Sequence, residues 1–228
     1  ECFARPAAPA ALWDDVPGVL AGRDLTGGGT WMGTGTGGRF AALTNYRDPS
    51  RRRTGVPSRG DLVTGYLTGT TSTDQYLAQL RQRAKLYNGY NLVFGTTAGL
   101  GCYSNVSDRY QPVAPGVHGL SNHLLNTPWP KVVRGREALN RLLVFDGDQL
   151  VERCLELLGD RTTPPDSDLP ETGVGLSLER GLSPMFIQLP GYGTRSSTVL
   201  LMDESGRSTL VEQTYDEQGA VIHQAQHG

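Results

Sequence analysis

Lysine is nearly missing from this sequence: only Lys85 and Lys131 occur, while arginine is abundant. Charges of both signs are interspersed, with 21 Lys+Arg against 23 Asp+Glu. That balance leaves no electrostatic footprint for nucleic acid or an anionic membrane surface. The preference for arginine reads as the mark of a GC-rich, bacterial genome rather than of a function. No apolar run approaches the ~20 residues that span a bilayer, and no charged-then-apolar signal segment opens the chain. Cysteine is scarce too: Cys2, Cys102 and Cys154 are odd in number and lack CxxC spacing, which argues against a disulfide framework or a zinc site. Together these absences describe a protein of a reducing, cytoplasmic compartment whose partner is a small or neutral molecule. No metal and no cofactor are expected.

Phosphate-loop chemistry is missing as well. The glycines at 27–29 have no following lysine and open no helix, so they serve tight turns between strands. His118 and His123 bracket a GLSN motif without a carboxylate or cysteine at ligand spacing, a poor metal site. An initiator methionine is also absent. The chain opens on Glu1, a residue larger than methionine removal normally leaves first, and the expectation is that residues are missing upstream.

What is present reads as one domain spanning residues 1–228, long enough to bury a full core. Between residues 19 and 46 three short apolar runs, VLAGRD, TWMGTG and GRFAALTNY, are broken by glycine and predict an antiparallel meander. An Arg/Asp/Pro-rich loop over 48–57 leads to Ser58 as a helix N-cap. Helical spacing then predicts helices over 59–67 and 73–87. Strands are predicted at 91–94, 101–103 and 117–120, and a second helical pair at 137–145 and 148–158. Beyond a Pro/Asp-rich loop at 162–168, strands return at 185–188, 198–202, 209–215 and 220–223. Strand groups alternating with helix pairs predict an α+β fold of two packed sheets with helices outside, because each sheet face must bury its apolar side against another layer.

Seven motifs add to the pattern. GGTWMG at 28–33, LTNYRDP at 43–49, SRGDLV at 58–63, YNGYNLVFG at 87–95, GLSN at 119–122, PWPK at 128–131 and YGTRSSTVLL at 192–201 follow one another in this order. In that order they resemble the NRDE family of transport-and-Golgi-organisation type 2 proteins over nearly the whole chain. The resemblance implies a four-layer αββα sandwich like that of the N-terminal-nucleophile hydrolases. It also implies that Glu1 is the last residue of the Asn-Arg-Asp-Glu motif, the rest of which lies upstream with a short first strand beginning Met-Cys. In such an enzyme the first-residue thiol attacks a carbonyl and its own α-amino group serves as base. Cys2 is not that thiol: it follows Glu1, has no free amine, and stands where the family has an aromatic residue. It reads, with Cys102 and Cys154, as a small hydrophobe.

In cysteine-type relatives of this kind an Arg-Asp, an Asn and a late Arg surround the thiol. Asn122 matches the oxyanion-binding Asn, or else caps the following turn. Arg195 matches the late Arg, where it holds a substrate carboxylate or orients the N-terminal site, or else pairs with Glu1 or the missing Asp. Asn45 and Arg47, at the end of a predicted strand, are expected to face a cleft, although Arg47 equally reads as a solvated loop charge. Ser104 and Asn105 either line the same cavity or are ordinary turn chemistry. Trp31 and Trp129 read as core or pocket wall. Asn45, Asn122 and Arg195 are expected to meet in one pocket beside Glu1, which would itself contact the substrate.

Two functions follow from the resemblance. One is a cysteine-type amidohydrolase or acyltransferase acting on a small amide or thioester. The other is a non-catalytic carrier or chaperone, since eukaryotic members are linked to haem trafficking and to lipid or acyl-CoA homeostasis. For haem, His118, His123, Met185 and Tyr192 are conceivable axial ligands, none in a haem-specific setting.

Overall fold

The glycine-broken N-terminal third folds into antiparallel strands, and the computed structural model describes residues 1–228. Strands β1 (Ala7–Leu12), β2 (Leu20–Asp24), β3 (Met32–Gly35), β4 (Arg39–Asn45), β5 (Tyr90–Thr96), β6 (Gly99–Ser104) and β7 (Arg109–Pro112) pair in chain order as one seven-stranded antiparallel sheet. Helices α1 (Gly60–Thr68) and α2 (Thr73–Arg83) connect β4 to β5. They cover one sheet face, where Val19, Ala21, Ala41, Leu92, Phe94 and Tyr103 meet Leu62, Tyr66, Tyr76 and Leu80. Alternation along each strand aims these residues at the helices and their neighbours at the opposite face.

Local chemistry sets the helix ends. Ser72 and Gln75 form a reciprocal capping box at the start of α2. At α1 the expected Ser58 cap is displaced by one residue: Arg59 occupies the N-cap without a side-chain bond, and Ser58 Oγ accepts from Gly60 N at 3.3 Å. The helix start packs backbone to backbone on the β2–β3 turn. A Cβ on Gly29 would lie 2.6 Å from the Gly60 carbonyl carbon, so only glycine permits this approach.

The second half begins with α3 (Pro130–Leu142) and α4 (Gly147–Leu158), followed by the short α5 (Leu176–Gly181) and a two-residue hairpin of β8 (Gln188–Leu189) and β9 (Tyr192–Gly193). A three-stranded antiparallel sheet of β10 (Ser196–Met202), β11 (Ser208–Tyr215) and β12 (Val221–His227) completes the chain. Leu200 and Leu210 of this small sheet pack on Ala10 and Leu20 of the large one. Val199 and Val211, on its other face, pack on Val151, Leu155 and Leu158 of α4. Glu212 joins the sheets: fully buried, it accepts from Ala10 N at 2.7 Å and from Thr198 Oγ1 at 2.8 Å. The fold is α+β. No helix is long and apolar enough to cross a membrane.

Several expectations need correction. Residues 117–120 form no strand, because Asn126 closes the segment into a loop, accepting from Gly119 N at 2.9 Å and donating its own N–H to Gly119 O at 2.8 Å. Helix α3 starts at Pro130 rather than near 137, with proline at the first helical position where its missing N–H costs nothing. The strand expected at 185–188 shrinks to Gln188–Leu189, and β1, β7, β9 and α5 lie outside the expected elements.

Candidate functional site

As β4 ends, the chain turns through Tyr46 into Arg47, and the loop carrying GLSN folds back onto it. Arg47 N donates to Asn122 O at 2.7 Å, and Asn122 Nδ2 donates to Asn45 O at 2.9 Å. The Arg47 guanidinium reaches Asn122 Oδ1 at 3.4 Å. Asn91 on β5 anchors the same loop from beneath, donating to His123 O at 2.8 Å and to Thr44 Oγ1 at 3.1 Å. Asn45, Arg47 and Asn122 therefore converge, with Asn45 contributing its carbonyl.

Arg47 is also half of a buried ion pair. It donates to Glu179 Oε2 at 2.8 Å, with the two side chains 10% and 4% exposed. Its guanidinium carbon sits 5.0 Å from the centre of the Trp129 ring. Glu179 Oε1 is taken by the Thr172 N–H at 2.8 Å and its hydroxyl at 2.5 Å. Lys131, at the start of α3, points into the same region. Its ammonium donates to Leu182 O at 2.7 Å and Pro184 O at 3.4 Å. Burial, then the neighbouring Arg47 charge, push the Lys131 amine down from 10.5 to about 8, with Glu179 acting in the opposite sense. The His123 ring lies between Tyr46 and Trp129, at centroid distances of 4.9 and 5.8 Å. Its Nδ1 is 2.8 Å from Thr127 Oγ1, and burial holds the imidazole below its ordinary value.

The N-terminal segment forms the second half of the site. Glu1 and Gly193 exchange main-chain hydrogen bonds of 2.8 and 2.9 Å, Cys2 bridges Tyr192 in antiparallel sense, and Phe3 N donates to Gly191 O at 3.0 Å. Tyr192 links the halves: burial and the Glu1 carboxylate raise its phenol, while Arg47 acts to lower it. Arg59 donates to Gly89 O at 2.9 Å, and its guanidinium, lowered by burial, is favoured by the Glu1 charge.

Arg195 stands with the N-terminal segment. Its guanidinium donates to Arg5 O and lies 5.7 Å from the centre of the Phe3 ring. Ser104 and Asn105 serve the backbone: Ser104 Oγ donates to Tyr90 O at 3.5 Å, while Asn105 accepts from Tyr90 N at 2.7 Å and donates to Ala84 O and Asn88 O. Cys102 is buried, its thiol pushed up to about 11, and Cys154 packs beside the small sheet. Cys2 is exposed. Both ring nitrogens of His118 are engaged, by Ala114 O and Asn126 Nδ2, both within 2.9 Å.

Glu179 carries no sequence signal for this role, and Lys131 stands out only as the last residue of PWPK and one of two lysines. On α5, Leu176 and Leu178 are 49% and 48% exposed while Glu179 is 3% exposed, the inverse of an amphipathic helix. What the assembled groups can do is hold an anion or a developing oxyanion: an amide, a phenol, a guanidinium and an ammonium share one region.

The family profile described as "Transport and Golgi organisation 2" matches residues 1–217. The Bos taurus protein "Transport and Golgi organization protein 2 homolog" is 35% identical over 234 aligned residues, covering 94% of this chain and 83% of its own. The Homo sapiens homolog is 33% identical with the same coverage. The Drosophila melanogaster "Transport and Golgi organization protein 2" is 28% identical over 239 residues, again covering 94% and 83%.

Proposed function

The chain belongs to the Transport and Golgi organisation 2 family, and from that premise we propose that it is a cysteine-type N-terminal-nucleophile amidohydrolase or acyltransferase for a small amide or thioester. The observation that carries this reading is the meeting of Asn122 with Asn45 and Arg47 across from the Glu1–Phe3 segment, with Tyr192 between them. Asn122 has a second amide N–H to aim at a developing oxyanion, and Arg195 and Glu1 frame the other side. The packing order supports the αββα sandwich: α1 and α2, the large sheet, the small sheet, then α4.

The nucleophile is expected on residues preceding Glu1. The antiparallel pairing of Glu1 with Gly193, continued upstream, runs along β10, whose outer edge has no strand partner. The test is to express the protein with its upstream residues, read the mature N-terminus by intact mass, and treat it with a thiol-reactive covalent probe. A first-residue cysteine that labels selectively is the expected result, with Asn122→Ala lowering turnover on the order of 10²-fold. Absence of selective labelling overturns the reading.

A second reading, a non-catalytic carrier of haem or of a lipid or acyl-CoA, is favoured by one observation. His123 is bonded through Nδ1 alone, which leaves Nε2 without a partner, and burial favours the neutral ring. A haem absorption band that changes in His123→Ala would select this reading, and an unchanged band would reject His123 as a ligand.

A further inference from the structure

Two cations and one carboxylate are enclosed where the GLSN loop, the start of α3 and α5 meet. Glu179 is spent on Arg47 and on both donors of Thr172. Lys131 therefore has no carboxylate within ion-pair distance, and its acceptors are two main-chain carbonyls. Carbonyl dipoles satisfy hydrogen bonds but do not neutralise a charge, and an enclosed ammonium without a counter-ion is strongly disfavoured. The first turn of α3 adds to the excess, since it contains no acidic residue and its N-cap, Trp129, makes no side-chain cap. Tyr192 and the Asn122 amide both neighbour Arg47, and both can donate a hydrogen bond.

We propose that Lys131, with Arg47 behind it, is an oxyanion-binding subsite that takes a carboxylate or phosphate group of the small-molecule ligand. The ligand's anion supplies the counter-charge that the protein leaves out, with Tyr192 and Asn122 as further donors beside Arg47. This assignment concerns the same site as the function proposed above and rests on that being a small-molecule site, but it holds equally for an enzyme or a carrier. It gives the ligand an anionic end, and it makes the ammonium of Lys131, rather than Arg195, the group that senses it.

The composition makes the test direct. Because Lys85 and Lys131 are the only lysines, reductive 13C-methylation yields two side-chain signals, assigned with Lys85→Arg. Each is followed by NMR during titration with inorganic phosphate and, separately, acetate at constant ionic strength. The Lys131 signal is expected to shift saturably, with its titration midpoint moving upward, while exposed Lys85 stays still. Response to phosphate alone assigns a phosphate-bearing ligand, and response to acetate alone a carboxylate. A parallel measurement needs no label: the anion-dependent rise in Tm of the unmodified protein should weaken at least about tenfold in apparent affinity in Lys131→Met and persist in Lys131→Arg. Neither anion moving the Lys131 signal, or both lysines moving together, overturns the subsite. Neither readout involves turnover or thiol labelling, so failure here and failure of the hydrolase reading are separate results.

Discussion

Arg47 and Glu179 are 132 positions apart in sequence, yet each is nearly sealed from water against the other. Separating such a pair costs more than the pair contributes, because the survivor is left charged and unsolvated. Glu179→Gln should therefore lower the unfolding free energy by about 3–5 kcal/mol in urea titrations. The double substitution Arg47→Met/Glu179→Gln should recover part of that loss, since glutamine keeps an acceptor for the two Thr172 donors. A Glu179→Gln protein as stable as the parent would mean that the pair opens to water in solution. The meeting of Asn45, Arg47 and Asn122 in the candidate site could be anticipated, since polar side chains at the boundary of apolar strands are conspicuous. Glu179 could not, because leucines three residues and one residue before it point to an outward-facing glutamate. Ser104 and Asn105 were legible only as an ambiguity, and their bonds run to the backbone around the turn before β5.

Among the elements, β11 is the one whose placement depends most on a single side chain. Glu212 holds the Ala10 N–H of β1, where the pairing with β2 is irregular, and the Thr198 hydroxyl of the neighbouring strand. Glu212→Leu keeps apolar bulk but leaves both donors buried without a partner, each worth about 1–3 kcal/mol. A fall of about 2–5 kcal/mol in unfolding free energy is expected, with faster hydrogen exchange at Ala10. Unchanged exchange there would show that the sheets are held together without this link. The elements with strong local signals were legible: β4, β5, α1, α2, α4, β10 and β11 lie within a few residues of expectation. Strand β1 was hidden by its alanines and by Pro9, which suit a strand only where an irregular edge accommodates them. Loop 117–120 has the apolar content of a strand, but Asn126 supplies the hydrogen bonds that strand pairing would have supplied.

For the whole molecule, burial of bases and phenols shapes stability against pH. Lys131 and His123 both titrate below their ordinary values in the folded state, so the unfolded chain binds more protons and stability rises with pH through each window. For His123 that window lies below 6.5; for Lys131 it runs from about 8 to 10.5. Buried Tyr76, Tyr90 and Tyr103 act oppositely: their phenols are raised, the unfolded chain ionises first, and stability is lost as pH climbs past 10.0. Tm is thus expected to climb from about pH 5 to about pH 9 and to fall at higher pH. The acid-side slope should diminish in His123→Phe, and an unchanged slope would remove His123 from the account.

Much follows from the sequence by itself: the α+β class, the strand-rich and helix-rich blocks, and the family through its ordered motifs. Near-neighbour periodicity and turn chemistry act within a few residues, and those signals are written locally. The tertiary structure alone decided which polar groups share a site. It brought Glu179 to Arg47, set Lys131 near them on two main-chain carbonyls, and placed Arg195 against the N-terminal segment. Burial and charge pairing are sums over groups distant in sequence, so a side chain's partner and its protonation are defined only once the chain has closed around it.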